Sequence, residues 1–381
     1  MLLLQRRLTH YRVPFFEGLR AELARRGMSL TLGVGQATAA ERLRDDAGSL
    51  PWATPVPSRQ WAGGRAVWQT LGPLCAEADL LVLPQENRLL SNVPWLLRRP
   101  PPRVALWGHG QDLQAGPGMS APLAQAWKAT LTRRADWWFA YTSTSTDVFQ
   151  SLGCPAQRIS TVNNAVDTAG LAQAVDALRQ RGLADAWSAL GLRGAPGDGP
   201  VGLFLGSLAA GRRLDLLLAA VTQLRAAMPG FQWLIAGDGP EASWLRQRVR
   251  GDDGVHLLGA VHGLRKQQCL AVADLMLMPA GLGLGLLDAL ACGVPLVTSR
   301  APGHGPEFAY LQAGHNALVL DARADALAQA AQAVLQQPDL ADRLRQAGRE
   351  TAAQHTLQAM VQRFADGLQA WQQAPRRGAA Q

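Results

Sequence analysis

The chain of 381 residues is long enough for two domains of ordinary size, each with its own core. Hydrophobic residues make up 48% and charged ones 17%, which excludes a chain that is disordered as a whole. The net charge of +8 is carried almost wholly by arginine, Lys128 and Lys266 being the only lysines, and it favours anionic partners without choosing among phosphates, acidic lipid surfaces and nucleic acid. A merely solvated basic surface explains the charge equally well.

Met1-Leu2-Leu3-Leu4-Gln5-Arg6-Arg7 is too short for the core of a signal peptide. A helix is expected from Pro14 to Arg26, then a strand over Ser29–Val34. Leu80–Pro84, Arg103–Trp107 and Trp137–Tyr141 read as buried strands, with a helix starting near Ser145. Residues 168–192 read as helix, and Gly194-Ala195-Pro196-Gly197-Asp198-Gly199-Pro200 as a turn-rich linker. The alternation then restarts: strand Val201–Leu205, helix from Asp215, strand Gln232–Ala236, helix from Glu241, strand Val255–Leu258, helix Lys266–Ala273, strand Asp274–Met278 and strand Leu296–Ser299. Leu357–Gln373 has apolar residues at helical spacing, and Pro375-Arg376-Arg377-Gly378 ends it.

This pattern predicts an α/β chain of two doubly wound, Rossmann-like domains facing a cleft. The boundaries expected are 1–190, 191–356, and a returning helix and tail at 357–381. In such sheets ligands bind outside the carboxyl ends of the strands, so the chemistry is expected in the loops that follow them. Cys75, Cys154, Cys269 and Cys292 are widely spaced and expected as buried free thiols. No uncharged apolar run reaches the ~18 residues of a membrane-spanning helix.

Three glycine turns lie between a strand and a helix. Pro279-Ala280-Gly281-Leu282-Gly283-Leu284-Gly285 leads into a helix carrying Asp288. Glycine lets the backbone approach a ligand closely, and free amides at a helix start attract phosphate. A carboxylate at Asp288 suits sugar hydroxyls better than phosphate, or it simply stabilises the helix start. Gly206-Ser207-Leu208 precedes Gly211-Arg212-Arg213, where an arginine fork fits a pyrophosphate; a surface arginine is the plainer account. Gly237-Asp238-Gly239-Pro240-Glu241-Ala242 gives a weak dinucleotide-type match, since Pro240 starts the helix early.

Together these residues resemble the family-4 retaining glycosyltransferases of the GT-B fold, over nearly the whole chain and more specifically in the C-terminal half. Gly206, Ser207 and Arg212 resemble the donor-phosphate loop, with Ser207 in the usual arginine place and Arg212 in the lysine place. Gly281, Leu282, Gly283, Leu284, Gly285 and Asp288 fall on the motif of two glutamates eight positions apart. Ala280 stands at the first and Asp288 at the second, which implies a variant site that keeps the ribose-holding acid. His10-Tyr11-Arg12-Val13-Pro14 resembles the first loop of the acceptor domain. His109, between Gly108 and Gly110, stands where the family has a histidine near the donor sugar. Arg300–Phe308 fits the next loop, in which Glu307 is either an acceptor-side residue or the cap of a short helix. Asn163–Asp167 resembles an interdomain turn.

The resemblance implies transfer of a sugar from a nucleotide diphosphate sugar, UDP-linked by expectation, to a saccharide or lipid-linked acceptor with retention, in polysaccharide or glycolipid synthesis. It implies Arg212 and the loop amides as stabilisers of the leaving diphosphate and His109 as the catalytic positioning group. No cofactor is implied, and without an Asp-x-Asp pattern no essential metal is expected. Arg88–Pro100, with Trp127, Arg133, Arg134, Trp137 and Trp138, either touches an anionic membrane or forms an ordinary packed helix with a basic rim, Trp137 and Trp138 being core residues. A cytoplasmic location, at the inner face of a membrane if that contact exists, follows as an expectation. A non-catalytic nucleotide-sugar-binding paralogue and a sugar-nucleotide epimerase of the same fold are the alternatives; Ala280 favours the first and argues against the second. Nucleic acid ranks last, since no nucleic-acid module is recognisable.

Overall fold

The computed structural model describes residues 1–42, 46–97, 102–110 and 122–376. The chain forms two compact units, Met1–Val166 with Leu357–Gln381, and Asp167–Thr356. The first contains β1 (Leu2–Gln5), β2 (Thr31–Val34), β3 (Thr54–Pro55), β4 (Ser58–Trp61), β5 (Ala66–Gln69), β6 (Leu80–Pro84), β7 (Arg103–Gly108), β8 (Trp137–Ala140) and β9 (Ile159–Thr161). Seven of these make one sheet in the order β3-β2-β1-β6-β7-β8-β9, and β4 pairs with β5 in a separate antiparallel hairpin. Every pairing in the seven-stranded sheet is parallel. Leu2, Leu3, Leu4, Leu81, Val82 and Leu83 are fully buried, the continuous apolar runs of strands covered on both faces. Trp137 and Trp138 are core residues, as expected. β1 was not among the expected strands, because three leucines at the start of a chain carry no flanking turn signal.

The second unit holds β10 (Val201–Leu205), β11 (Gln232–Ala236), β12 (Val255–Gly259), β13 (Leu275–Met278), β14 (Leu296–Ser299) and β15 (Leu318–Leu320). They form one parallel sheet in the order β12-β11-β10-β13-β14-β15. The chain winds outward from β10 in one direction and returns to its other side with β13. The strand order therefore reverses between β10 and β13, and the equivalent reversal in the first sheet lies between β1 and β6. Such a reversal opens a crevice at the carboxyl ends of the two strands.

The unit boundary falls at 166/167 instead of the expected 190/191. The helices Ala169–Arg181 and Ala184–Ala189 pack on the helix Gly263–Val272 of the second unit. Arg179 fixes the first of them by donating to the carbonyls of Leu270, Ala271 and Cys292 at 2.9, 3.2 and 2.6 Å. The span read as one helix is thus two, broken at Gly182, whose φ of 97° ends the first.

The last helix, Leu357–Gln373, returns to the first unit and packs on the helix Val13–Arg25. Phe364 stacks on Phe139 at 4.3 Å, and Arg26 pairs with Asp366 at 2.7 Å. All four cysteines are buried and unbridged. No helix of the described residues is long and apolar enough to cross a membrane.

Candidate functional site

The loops after β10 and β13 bring the expected donor-side residues together within the second unit. Gly206 and Ser207 follow β10, and Arg212 ends the short turn Ala210–Arg212. Arg212 lies along the glycine loop that follows β13. A Cβ built on Gly281 would stand 2.7 Å from Arg212 Cδ, and Gly281 has φ +69°, so glycine is required there on both counts. Arg212 Nε donates to Ser207 Oγ at 3.3 Å. Burial pulls the Arg212 pKa down, and among the described residues no carboxylate pairs with it. Gly237 at the end of β11 is fixed by contact, since a Cβ there would meet Gly206 O at 1.8 Å.

The loop Gly281–Gly285 is held from outside by the loop after β14. His304 Nδ1 accepts the Leu282 N–H at 3.2 Å, and its Nε2 lies 2.9 Å from Ser299 O. These contacts require a neutral imidazole with the proton on Nε2. The ring stacks on Phe308 at 4.3 Å. Burial pushes the His304 pKa down, and Arg212 adds to that against the raising effect of the Ser299 carbonyl. Among the described residues, the amides of Gly281, Gly283, Leu284 and Gly285 have no acceptor.

Glu307, expected on the acceptor side, lies in this donor-side cluster of the second unit. Its Oε2 would be 3.8 Å from a Cβ on Gly283 and 2.8 Å from one on Gly305. It is buried in the first turn of the short helix Pro306–Tyr310, which Gly305 precedes as N-cap.

Asp288 sits one turn inside the helix Gly285–Ala291 and is buried. Its Oδ2 is 2.7 Å from Lys266 Nζ. Burial raises the Asp288 pKa, and Lys266 opposes the rise. Sequence reading found no second acid near the glycine loop and no cation for Asp288. Both come from other elements, Glu307 from the short helix beyond β14 and Lys266 from the helix after β12. Ala280 is fully buried.

The first unit holds the remaining two expected residues. His109 follows β7, its ring edge-on to Tyr141 at 5.9 Å. Arg12 ends the turn His10–Arg12 and is buried among rings. Its Cζ is 5.6, 5.4 and 5.9 Å from the ring centroids of Tyr11, Trp107 and Tyr141. Between β1 and β6, where the strand order of this sheet reverses, sits an ion-pair network that sequence reading missed: Arg6 binds Glu41 through both Nη atoms at 2.8 and 2.6 Å and Glu86 through Nε at 2.7 Å. Of the stretch considered for membrane contact, Arg98, Arg99 and Pro100 lie outside the described residues, while Leu90 and Leu97 are exposed.

Residues 199–337 match the family model of the glycosyl transferases group 1. The glycogen synthase of Mycobacterium tuberculosis is 32% identical over 162 residues, 41% of this chain and 39% of that protein. The GDP-mannose-dependent alpha-(1-6)-phosphatidylinositol monomannoside mannosyltransferase of Mycolicibacterium smegmatis is 34% identical over 122 residues, 28% of this chain and 31% of that one. The chain thus spans about two fifths or less of the length of these curated relatives. In fold it is similar to Anabaena HepE in complex with UDP and glucose, with a TM-score of 0.65, 18% identity, and 97% and 98% of the two chains covered. It is also similar to sucrose-phosphate synthase from Thermosynechococcus elongatus, with a TM-score of 0.70, 16% identity, and 97% and 98% covered. Residues 199–337 are therefore similar to the glycosyl transferases group 1, in a chain whose fold is that of GT-B.

Proposed function

We propose that the chain is a glycosyltransferase that moves a sugar from a nucleoside diphosphate sugar to a hydroxyl of a saccharide or lipid-linked acceptor, with retention at the anomeric carbon. Arg212 carries this reading. It is a half-buried guanidinium laid against Gly281 where the strand order reverses, and among the described residues it has no carboxylate partner and the amides beside it have no acceptor. That arrangement fits a diphosphate. As the bond from the anomeric carbon to the diphosphate oxygen breaks, its electron pair leaves with the diphosphate. Arg212 and the amides of Gly281–Gly285 stabilise the growing charge. The acceptor oxygen bonds to the same carbon from the same face and passes its proton to the departing diphosphate. His109 positions the sugar or acceptor, and Asp288, oriented by Lys266, holds the ribose.

UDP is the donor base this reading favours, in line with a fold relative described in complex with UDP-glucose. The lipid-linked acceptor is supported by the mannosyltransferase named above, which acts on a phosphatidylinositol mannoside by its printed name. Exposed Trp61, Trp68, Leu90, Leu97 and Trp127 on a basic chain support peripheral contact with an anionic membrane, at its cytoplasmic face.

Calorimetric titration with UDP, GDP, ADP and their sugars tests the donor site. One diphosphate should bind selectively, and Arg212→Ala should weaken it by roughly ten- to a hundredfold, the worth of a charge-assisted contact. Unchanged affinity removes Arg212 from the site. The second reading, a nucleotide-sugar-binding protein without turnover, is favoured by Ala280, which brings no acid to the loop. Donor binding with no sugar released to water or to any acceptor selects it.

A further inference from the structure

Arg6 and Arg12 both follow β1 in the loop that opens at its carboxyl end, and they are almost equally buried, at 6% and 8% exposure. A guanidinium keeps its charge at every physiological pH. Burying that charge is unfavourable unless a partner neutralises it. For Arg6 the fold supplies Glu41 and Glu86. For Arg12 it supplies, among the described residues, no carboxylate. Its neighbours are the rings of Tyr11, Trp107 and Tyr141 and the thioether of Met360, with Nη1 4.0 Å from Sδ. Ring faces return only part of that cost, and neither they nor the sulfur carries charge. The cluster lies at the ligand end of the sheet: Arg12 follows β1, Trp107 is in β7 and Tyr141 follows β8. His109 rests on the same Tyr141 ring.

We propose that Arg12 is an oxyanion-binding residue, and that the ligand of the first unit brings the missing negative charge as a phosphate or carboxylate. The planar fork presents paired N–H donors to two oxygens of such a group. Taken with the transferase reading, on which this part rests, the acceptor is an anionic one: a phosphate-linked lipid or a saccharide bearing a uronate.

The test uses the full chain carrying Arg212→Ala, so that the cation of the second unit does not contribute. Inorganic phosphate, methyl glucuronide and, as a neutral control, methyl glucoside are titrated by calorimetry. At least one anion should bind saturably and the glucoside should not. Adding Arg12→Gln should weaken the anion about tenfold or more. Phosphate binding alone points to the phosphate-linked lipid, glucuronide binding alone to the uronate. No saturable binding of either anion, or binding that Arg12→Gln leaves unchanged, overturns the proposal. Should Arg12→Gln fail to fold, the Arg12 Nε–H resonance answers in its place, assigned by its loss in Arg12→Lys. It must shift on titration, and a stationary resonance overturns the proposal equally. Donor binding is read separately with Arg212 intact. A chain that binds a nucleoside diphosphate but no anion at Arg12 therefore fails this inference alone.

Discussion

A charged side chain in this protein is defined by what stands opposite it. Lys266 and Asp288 illustrate the point. The carboxylate is buried and its pKa is raised by burial, so its ionised form depends on the ammonium 2.7 Å away. Lys266→Met removes that partner and leaves the acid to protonate or to remain charged at a cost. Stability measured by urea unfolding at neutral pH should fall by about 2 kcal/mol, below the range for a wholly buried pair because Lys266 is partly exposed. A midpoint unchanged within error would show that the pair contributes nothing. The glycine positions were legible in the sequence because φ and close approach are local demands. The partner of Asp288 was not, because Lys266 lies on another helix and reaches the carboxylate only in the folded unit.

At the scale of elements, the glycine loop takes its shape from the loop after β14. His304 joins the two by accepting from Leu282 and reaching Ser299. Its pKa is depressed below the ordinary 6.5 by burial, with Arg212 helping. The neutral ring is therefore the form that holds the loop. The bridge is complete above pH 6.5 and is lost as the pH falls through the lower pKa of the folded protein, when a proton on Nδ1 would face the Leu282 N–H. Nucleoside diphosphate affinity measured between about pH 5 and 8 should drop on the acid side. His304→Phe should bind more weakly at pH 8 and lose that part of the acid-side dependence. A profile identical to that of the wild type would exclude the role. The last helix offers a second element-scale expectation. Phe364 is fully buried against Phe139, so Phe364→Ala should cost about 3–5 kcal/mol. Hydrogen exchange should locate the loss in the first unit, including Val13–Arg25, and leave the second unit's protection in place.

For the molecule as a whole, acid stability rests on networks that join distant parts of one unit. Burial pulls the Glu41 carboxyl upward, but hydrogen bonds from Arg6 and Thr38 outweigh it and bring the pKa from 4.5 to about 2. The sign follows from that depression. The stabilisation is fully present above pH 4.5 and is lost as the pH falls toward 2, as the folded carboxylate takes up its proton. The shift corresponds to about 3 kcal/mol at neutral pH. Glu41→Gln should remove that contribution at pH 7 and flatten the stability profile of the first unit between pH 4.5 and 2. An unaltered profile would assign acid sensitivity elsewhere.

The sequence by itself determined the alternation of strand and helix, the two doubly wound sheets and the glycine turns after β10, β11 and β13. Apolar runs and turn residues act on their neighbours, so their consequences are written locally. It marked Arg212 and the loop Gly281–Gly285 for the same reason. Tertiary structure alone decided the rest. It moved residues 167–190 into the second unit through the bonds of Arg179, and placed Glu307 against the glycine loop. It also paired Arg6 with acids 35 and 80 residues away while giving Arg12 none among the described residues. Ion pairs and loop clamps depend on distances between elements, and those distances exist only once the sheets have formed and the helices have packed.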